Sequence, residues 1–252
     1  MLAVELLYTR EVSVLKVRVK FEKLGSMKFI GHLDMMRYFQ KAIRRAGIDV
    51  AYSSGYSPHM IMSFASPLGV GLTSDGEYFD IEVGSCLSSV HMVKRLNEVM
   101  VDGMEVISFR QIEEGKASNA MSLVAAADYT VTFKRDYIPA LDWEKKIIEF
   151  YNQEQIIILK KTKKSEKEID MKPLIYELNC EKGMIFMKLA TGSVNNLKPE
   201  LVMEAFLDYL KIEKTGESIL IAINRMEVYA NNSEQNGTSD FISLEDMGEE
   251  IG

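Results

Sequence analysis

Apolar and polar positions alternate along Val14–Phe21 (VLKVRVKF), the period of a half-buried strand. Lys23–Lys28 reads as a turn around Gly25-Ser26, and beyond it Leu33, Met36, Phe39, Ile43 and Ala46 recur at helical spacing up to Gly47, a natural stop. Ile48–Tyr52 reads as a short strand. Ser53–Gly76 holds two Pro and four Gly and is too punctuated for regular structure throughout. Glu77–Val83 alternates as a strand, Ser88 caps a helix carrying Val90, Val93, Leu96 and Met100, and Met104–Arg110 closes the series as a strand.

That order is β-α-β-β-α-β, the split ferredoxin-like unit. A second pass over the same pattern follows. Tyr129–Phe133 is a strand, Leu141–Tyr151 a helix around Trp143, Ile147 and Phe150, and Ile156–Leu159 a strand. Leu174–Leu178 and Met184–Leu189 form a hairpin about Glu181-Lys182-Gly183, Pro199–Leu210 is a helix opened by proline, and Leu220–Tyr229 is the closing strand. The fold expected is α+β, two tandem ferredoxin-like modules at 14–112 and 121–230, joined by the polar linker Glu113–Ala120. The repeat is one of pattern, without sequence identity between the halves.

Charge is segregated along the 252 residues. Of the net −7, six charges come from residues 231–252, which hold Glu234, Asp240, Glu245, Asp246, Glu249 and Glu250 and no Lys or Arg, so the other 230 residues net −1. Such a polar, acidic end is expected to be disordered. Residues 1–60 carry ten Lys/Arg against five Asp/Glu, a local +5 that permits an anionic partner. No apolar run approaches the ~20 residues that span a bilayer. Glu5, Arg10 and Glu11 interrupt any signal-peptide core, and Cys86 and Cys180 are too few and too far apart for a redox pair or metal knuckle. A cytoplasmic protein without membrane, metal or cofactor is the expectation.

The inventory of chemistry is thin. There is no phosphate-binding glycine loop, H-E-x-x-H, paired-Cys or G-x-S-x-G motif. His32 and Asp34 open the first predicted helix. His32 there is favoured as a capping or packing residue, with Asp34 complementing the helix dipole, over a general acid or base. The long loop Tyr52–Phe64 brings Tyr52, Ser53, Ser54, Tyr56, Ser57 and His59 together. Such a loop suits a polar pocket or a stacking surface for bases, or a structural loop with Tyr52 and Tyr56 packed underneath. Arg37, Lys41, Arg44 and Arg45 fall near one face of the first predicted helix, and with Arg18, Lys20, Lys23 and Lys28 on the preceding strand and turn they suit a nucleic-acid-facing cluster or a solvated basic face. A denser run, Lys160–Lys172, holds Lys160, Lys161, Lys163 and Lys164, which suit a phosphate backbone or a solvated hairpin tip.

Several of these segments resemble one family. Val17-Arg18-Val19-Lys20-Phe21, Lys23-Leu24-Gly25-Ser26, Gly31-His32-Leu33-Asp34-Met35-Met36-Arg37, Arg44-Arg45-Ala46-Gly47, Tyr52–His59 (YSSGYSPH) and Ser63–Leu68 (SFASPL) are similar to the bacterial radical-SAM-linked proteins. Thr162-Lys163-Lys164, Asp170, Pro173, Gly192-Ser193 and Leu197-Lys198-Pro199-Glu200 resemble a later signature of that family. The family often has Pro and a basic residue after the loop histidine, where this chain has Met60 and Ile61, and its members commonly start near Lys16. The resemblance implies a partner more than a reaction: a radical SAM protein with a cobalamin-binding-like domain, encoded beside or fused to the family member. The chain itself lacks the three-cysteine cluster of such an enzyme.

Three readings follow. The first is a non-catalytic accessory protein of a radical SAM enzyme that binds or presents its substrate, with RNA the candidate. The second is a metal-independent RNA-processing nuclease in which His32 and His59 share acid and base roles. The third is an interaction scaffold without nucleic acid.

Overall fold

The computed structural model describes residues 14–113, 115, 119–134, 139, 142–161, 166–212, 221–231 and 240–252. The first half runs β1 (Leu15–Lys23), α1 (His32–Arg45), β2 (Asp49–Val50), β3 (Met62–Phe64), β4 (Thr73–Ser85), α2 (Ser89–Asn97) and β5 (Met104–Gln111). A short 3-10 turn at Gly25–Phe29 links β1 to α1. The second half runs α3 (Ala120–Leu123), β6 (Val124–Phe133), α4 (Trp143–Tyr151), β7 (Ile157–Lys161), β8 (Glu166–Asp170), β9 (Ile175–Glu181), β10 (Met184–Ala190), α5 (Pro199–Tyr209), β11 (Ile221–Asn231), β12 (Phe241–Ser243) and β13 (Glu249–Glu250).

The alternation in β1 sends Val17, Val19 and Phe21 into a core with Phe39 and Ile43 of α1, Phe79 and Ile81 of β4, and Met92 and Leu96 of α2, all essentially inaccessible to water. Phe39 anchors it, with ring centroids 4.6 Å from both Phe21 and Phe79. Gly47 ends α1 as its position predicts, at φ +62, where its N–H bonds the Arg44 carbonyl. The second core gathers Tyr129 and Val131, Ile147 and Phe150, Met187 and Leu189, and Val202 and Phe206.

The two halves expected at 14–112 and 121–230 are joined in one mixed α/β assembly. A single sheet runs β13-β5-β1-β4-β11-β6-β10-β9, with β2 and β3 on β4 and β12 on β11. The junction is a short parallel pairing of β4 with β11, Thr73 opposite Asn224 and Ser74 opposite Arg225. Gly76 makes the approach possible, since a Cβ there would lie 2.7 Å from the Met226 carbonyl oxygen.

Two expectations are corrected. The strand predicted at Ile156–Leu159 stands off the main sheet, because β7 pairs with β8 in a separate hairpin. The acidic end is not disordered over Asp240–Gly252. Phe241–Ser243 pairs with β11, Leu244 is completely buried in the second core, and Glu249–Glu250 pairs with the far edge strand β5. Acidity was the wrong guide here, because the segment carries Phe241, Ile242, Leu244 and Ile251 for burial and meets cations. Residues 232–239 lie outside the described residues, as does half of the predicted linker. Ala120, at the end of that linker, is buried, and its N–H donates to Asp80 Oδ2 at 2.8 Å.

Candidate functional site

The first half carries the candidate surface. Beyond β2, the chain turns back on itself as a narrow hairpin held by Tyr52 paired with Met60, Ser53 N–H to the His59 carbonyl at 2.9 Å, and Ile61 N–H to the Ala51 carbonyl at 3.0 Å. Ser53 Oγ sits 2.8 Å from His59 Nδ1 and accepts the His59 backbone N–H at 3.1 Å. Met60 is buried, rooting the hairpin in the core. The tip is thereby fixed while its side chains face water. Tyr52 is 46% exposed and Tyr56 fully exposed, so neither tyrosine packs underneath the loop.

Next to β1, Phe29 (65%), Leu33 (61%) and Val70 (60%) are also exposed. The segment after β3 is drawn against the 3-10 turn by the Gly71 N–H, which donates to the Lys28 carbonyl at 2.7 Å. The Lys28 ammonium lies 5.2 Å from the centre of the Phe29 ring, a cation–π pairing on the surface. Exposed apolar groups clustered beside cations are the usual mark of a contact surface. The hydrophobic pattern put Leu33 on the apolar stripe of the helix, which its exposure corrects, and it singled out neither Phe29 nor Val70. Their exposure depends on where the turn and the segment after β3 are placed, which is tertiary information.

The sequence-predicted residues do not form one cluster. His32 is the first residue of α1 and exposed, with its ring edge-on to buried Phe64 at 5.3 Å. His59 is engaged by Ser53 on the hairpin, and no hydrogen bond or ring contact links it to His32. Asp34 bonds Arg37 at 3.1 Å on the exposed first turns of α1. Arg44 and Arg45 lie at the other end of that helix, about 18 Å along its axis from His32 at 1.5 Å per residue. Arg45 donates to the Val99 carbonyl at 2.9 Å. Lys160 and Lys161 fall on β7, and Lys163 and Lys164 lie outside the described residues.

The junction between the halves holds the buried ionic groups, and it corrects the basic cluster expected for nucleic acid: Arg18 and Lys23 are buried and Lys20 is largely so, each turned into the fold rather than toward an anionic partner. Arg18 pairs with Asp80 through Nε to Oδ1 at 2.9 Å and Nη2 to Oδ2 at 3.2 Å, and Nη1 donates to the Leu244 carbonyl at 3.1 Å. Lys20 reaches Glu227 and Glu245, each at 2.8 Å. Burial works against its ammonium, but the two carboxylates outweigh burial and hold its pKa above the ordinary lysine value. Arg225 binds Glu77 through Nε at 2.8 Å and Nη2 at 2.5 and 2.6 Å, and bonds the Ser66 carbonyl. Lys23 is different. Its Nζ reaches only the Ile30 carbonyl, at 3.4 Å, and burial pushes its pKa down. The sequence placed Lys23 in the turn after the strand, whereas β1 continues through it and its in-facing register buries the side chain.

A groove of about 1120 Å³ lies elsewhere, between β7 and α5. Its wall carries Glu200, Glu204 and Asp208, which repel a phosphate backbone, so it does not serve as the anion-facing surface. Among the described residues no three His, Cys, Asp or Glu side chains gather as a metal site, and no helix is long and apolar enough to cross a membrane. Both cysteines are free.

No curated protein matches this sequence. A family model described as an uncharacterized protein conserved in bacteria (DUF2344) matches residues 16–199, nearly three quarters of the chain, and takes in β1, the hairpin, the junction strand β4 and the start of α5. The chain therefore belongs to that bacterial DUF2344 family.

Proposed function

We propose that the protein is a non-catalytic accessory subunit of a radical SAM enzyme with a cobalamin-binding-like domain, working in the cytoplasm, and that it holds RNA as the substrate presented to that enzyme. The resemblance stated for residues 17–68 supports the partner. The observation that carries the RNA reading is the fully exposed Tyr56 at the tip of a hairpin fixed by Ser53, His59 and buried Met60. A solvent-facing ring carried on a hydrogen-bonded stem is free to stack on a base, and such stacking contributes about 1–3 kcal/mol per base. Tyr52 adds a second exposed ring on the same hairpin, and Lys28 with Phe29 offers a separate exposed cation and ring. The strand orders β5-β1-β4-β2 and β11-β6-β10-β9 support reading each half as a ferredoxin-like unit, the two fused edge to edge.

The test is purification of the full chain from its native host, with and without ribonuclease, alongside the Tyr56→Ala variant. The expected result is a radical SAM polypeptide retained after ribonuclease, and RNA recovered without it at levels about tenfold lower for Tyr56→Ala, the equivalent of one stacked base. Recovery of neither RNA nor a radical SAM polypeptide overturns the reading. A nuclease role for His32 and His59 is less well supported, because the hairpin histidine is engaged by Ser53 and the helix histidine packs on Phe64. RNA cleavage abolished by the double variant His32→Ala, His59→Ala would reverse that preference.

A further inference from the structure

Lys23 lies at the end of β1 with 3% of its surface exposed. Its ammonium has three protons to donate, and its one hydrogen bond is the 3.4 Å contact with the Ile30 carbonyl. Among the described residues no carboxylate pairs with it. The charged groups bearing on it are Glu77 of β4 and Arg225 of β11, and Glu77 is already held by three contacts from Arg225. Two cations and one carboxylate leave this buried group with one net positive charge. An uncompensated buried charge is costly, so a site of this kind is short of an anion.

Space for one exists. A crevice of about 20 Å³ is lined by Lys23, Ile30, His32, Met35, Phe64 and Glu77. That volume admits a single oxygen-sized group and no whole phosphate. His32 and Met35 of the first turn of α1, a helix fourteen residues long, form part of its rim. His32 stands at the exposed mouth.

We propose that this crevice is an anchoring site for a terminal oxyanion, a phosphoryl or carboxylate oxygen, with the Lys23 ammonium at its floor and His32 at its mouth. The ligand's oxygen enters and accepts from Nζ, while the rest of the ligand stays outside the crevice beside the imidazole. The site is independent of the RNA reading. Burial already lowers the Lys23 pKa, and an entering oxyanion reverses that direction by stabilising the ammonium, with Glu77, Arg225 and His32 the other titratable or charged groups facing it.

The test is calorimetric titration of the full chain with inorganic phosphate and, separately, with acetate. The lysine side-chain carbon signals are followed by NMR through a pH series in each. The expected result is saturable binding of at least one of the two anions, a Lys23 titration midpoint displaced upward when it is bound, and binding weakened about tenfold or more in Lys23→Met, which loses a charged hydrogen bond. His32→Gln, which leaves the floor intact, weakens it less. Preference for phosphate or for acetate tells the phosphoryl from the carboxylate source. Absence of saturable binding by either anion, or binding unchanged in a folded Lys23→Met protein, overturns the proposal.

Discussion

Two cations on the same strand, five residues apart, have opposite circumstances. Arg18 and Lys23 are equally buried, at 2% and 3% exposure. Arg18 spends its guanidinium on both oxygens of Asp80 and on the Leu244 carbonyl of the C-terminal segment. Lys23 faces a crevice with one long bond to a carbonyl and no carboxylate of its own. The first is a tie between parts of the fold, since Asp80 also accepts the Ala120 N–H that opens the second half. The second is a charge the fold leaves unmatched. The same burial therefore means structure at one end of β1 and an available binding group at the other.

The comparison is sharpest in substitutions that remove each charge. Arg18→Met leaves Asp80 buried without its partner, and breaking a buried pair in this way typically costs about 3–5 kcal/mol. Urea denaturation should show a loss of that size, and a loss under about 1 kcal/mol would mean that Asp80 finds another partner or simply takes up a proton. Lys23→Met should act in the opposite direction. The folded-state pKa of Lys23 lies below its ordinary value of 10.5, so the folded protein disfavours the ammonium that the unfolded chain carries freely. That cost is full below the folded pKa and disappears as pH rises to 10.5. At pH 7 the methionine variant should therefore melt higher than the parent protein. The gain should vanish in scans near pH 10.5, and a gain that is independent of pH would trace to packing instead.

The same contrast explains what was legible in the sequence. The element order was, because Val17-Val19-Phe21 and Phe39-Ile43 keep their strand and helix periods, and because Gly47 and Pro199 stand where helices stop and start. The Lys23 site was half legible: the in-facing register of β1 places a lysine beside Phe21, but the turn signal at Gly25-Ser26 led the strand to be ended too early. Its unmatched charge could not be read at all, since Glu77 is claimed by Arg225 from a strand 148 residues later in the chain. The C-terminal segment was misread for the same reason. Glu245 and Asp246 look like solvated acid until Lys20 and Arg110 are brought to them by β1 and β5, a pairing no local pattern contains.

The smallest effect separates surface from site. Asp34 and Arg37 form an ion pair on α1, three residues apart at 3.1 Å, with each side chain 68% exposed. Pairs of this kind contribute about 0.3–0.5 kcal/mol, because water screens them and two long side chains must be held still. Asp34→Asn removes the pair and part of the favourable charge at the positive end of the helix, and should change the urea midpoint by no more than that. It also removes the negative side chain nearest in sequence to His32, at the mouth of the Lys23 crevice. Phosphate binding should therefore be unchanged or slightly tighter in Asp34→Asn while it collapses in Lys23→Met. If the two variants weakened phosphate equally, the anion would be sitting on the exposed first turn of α1 and not at the buried lysine.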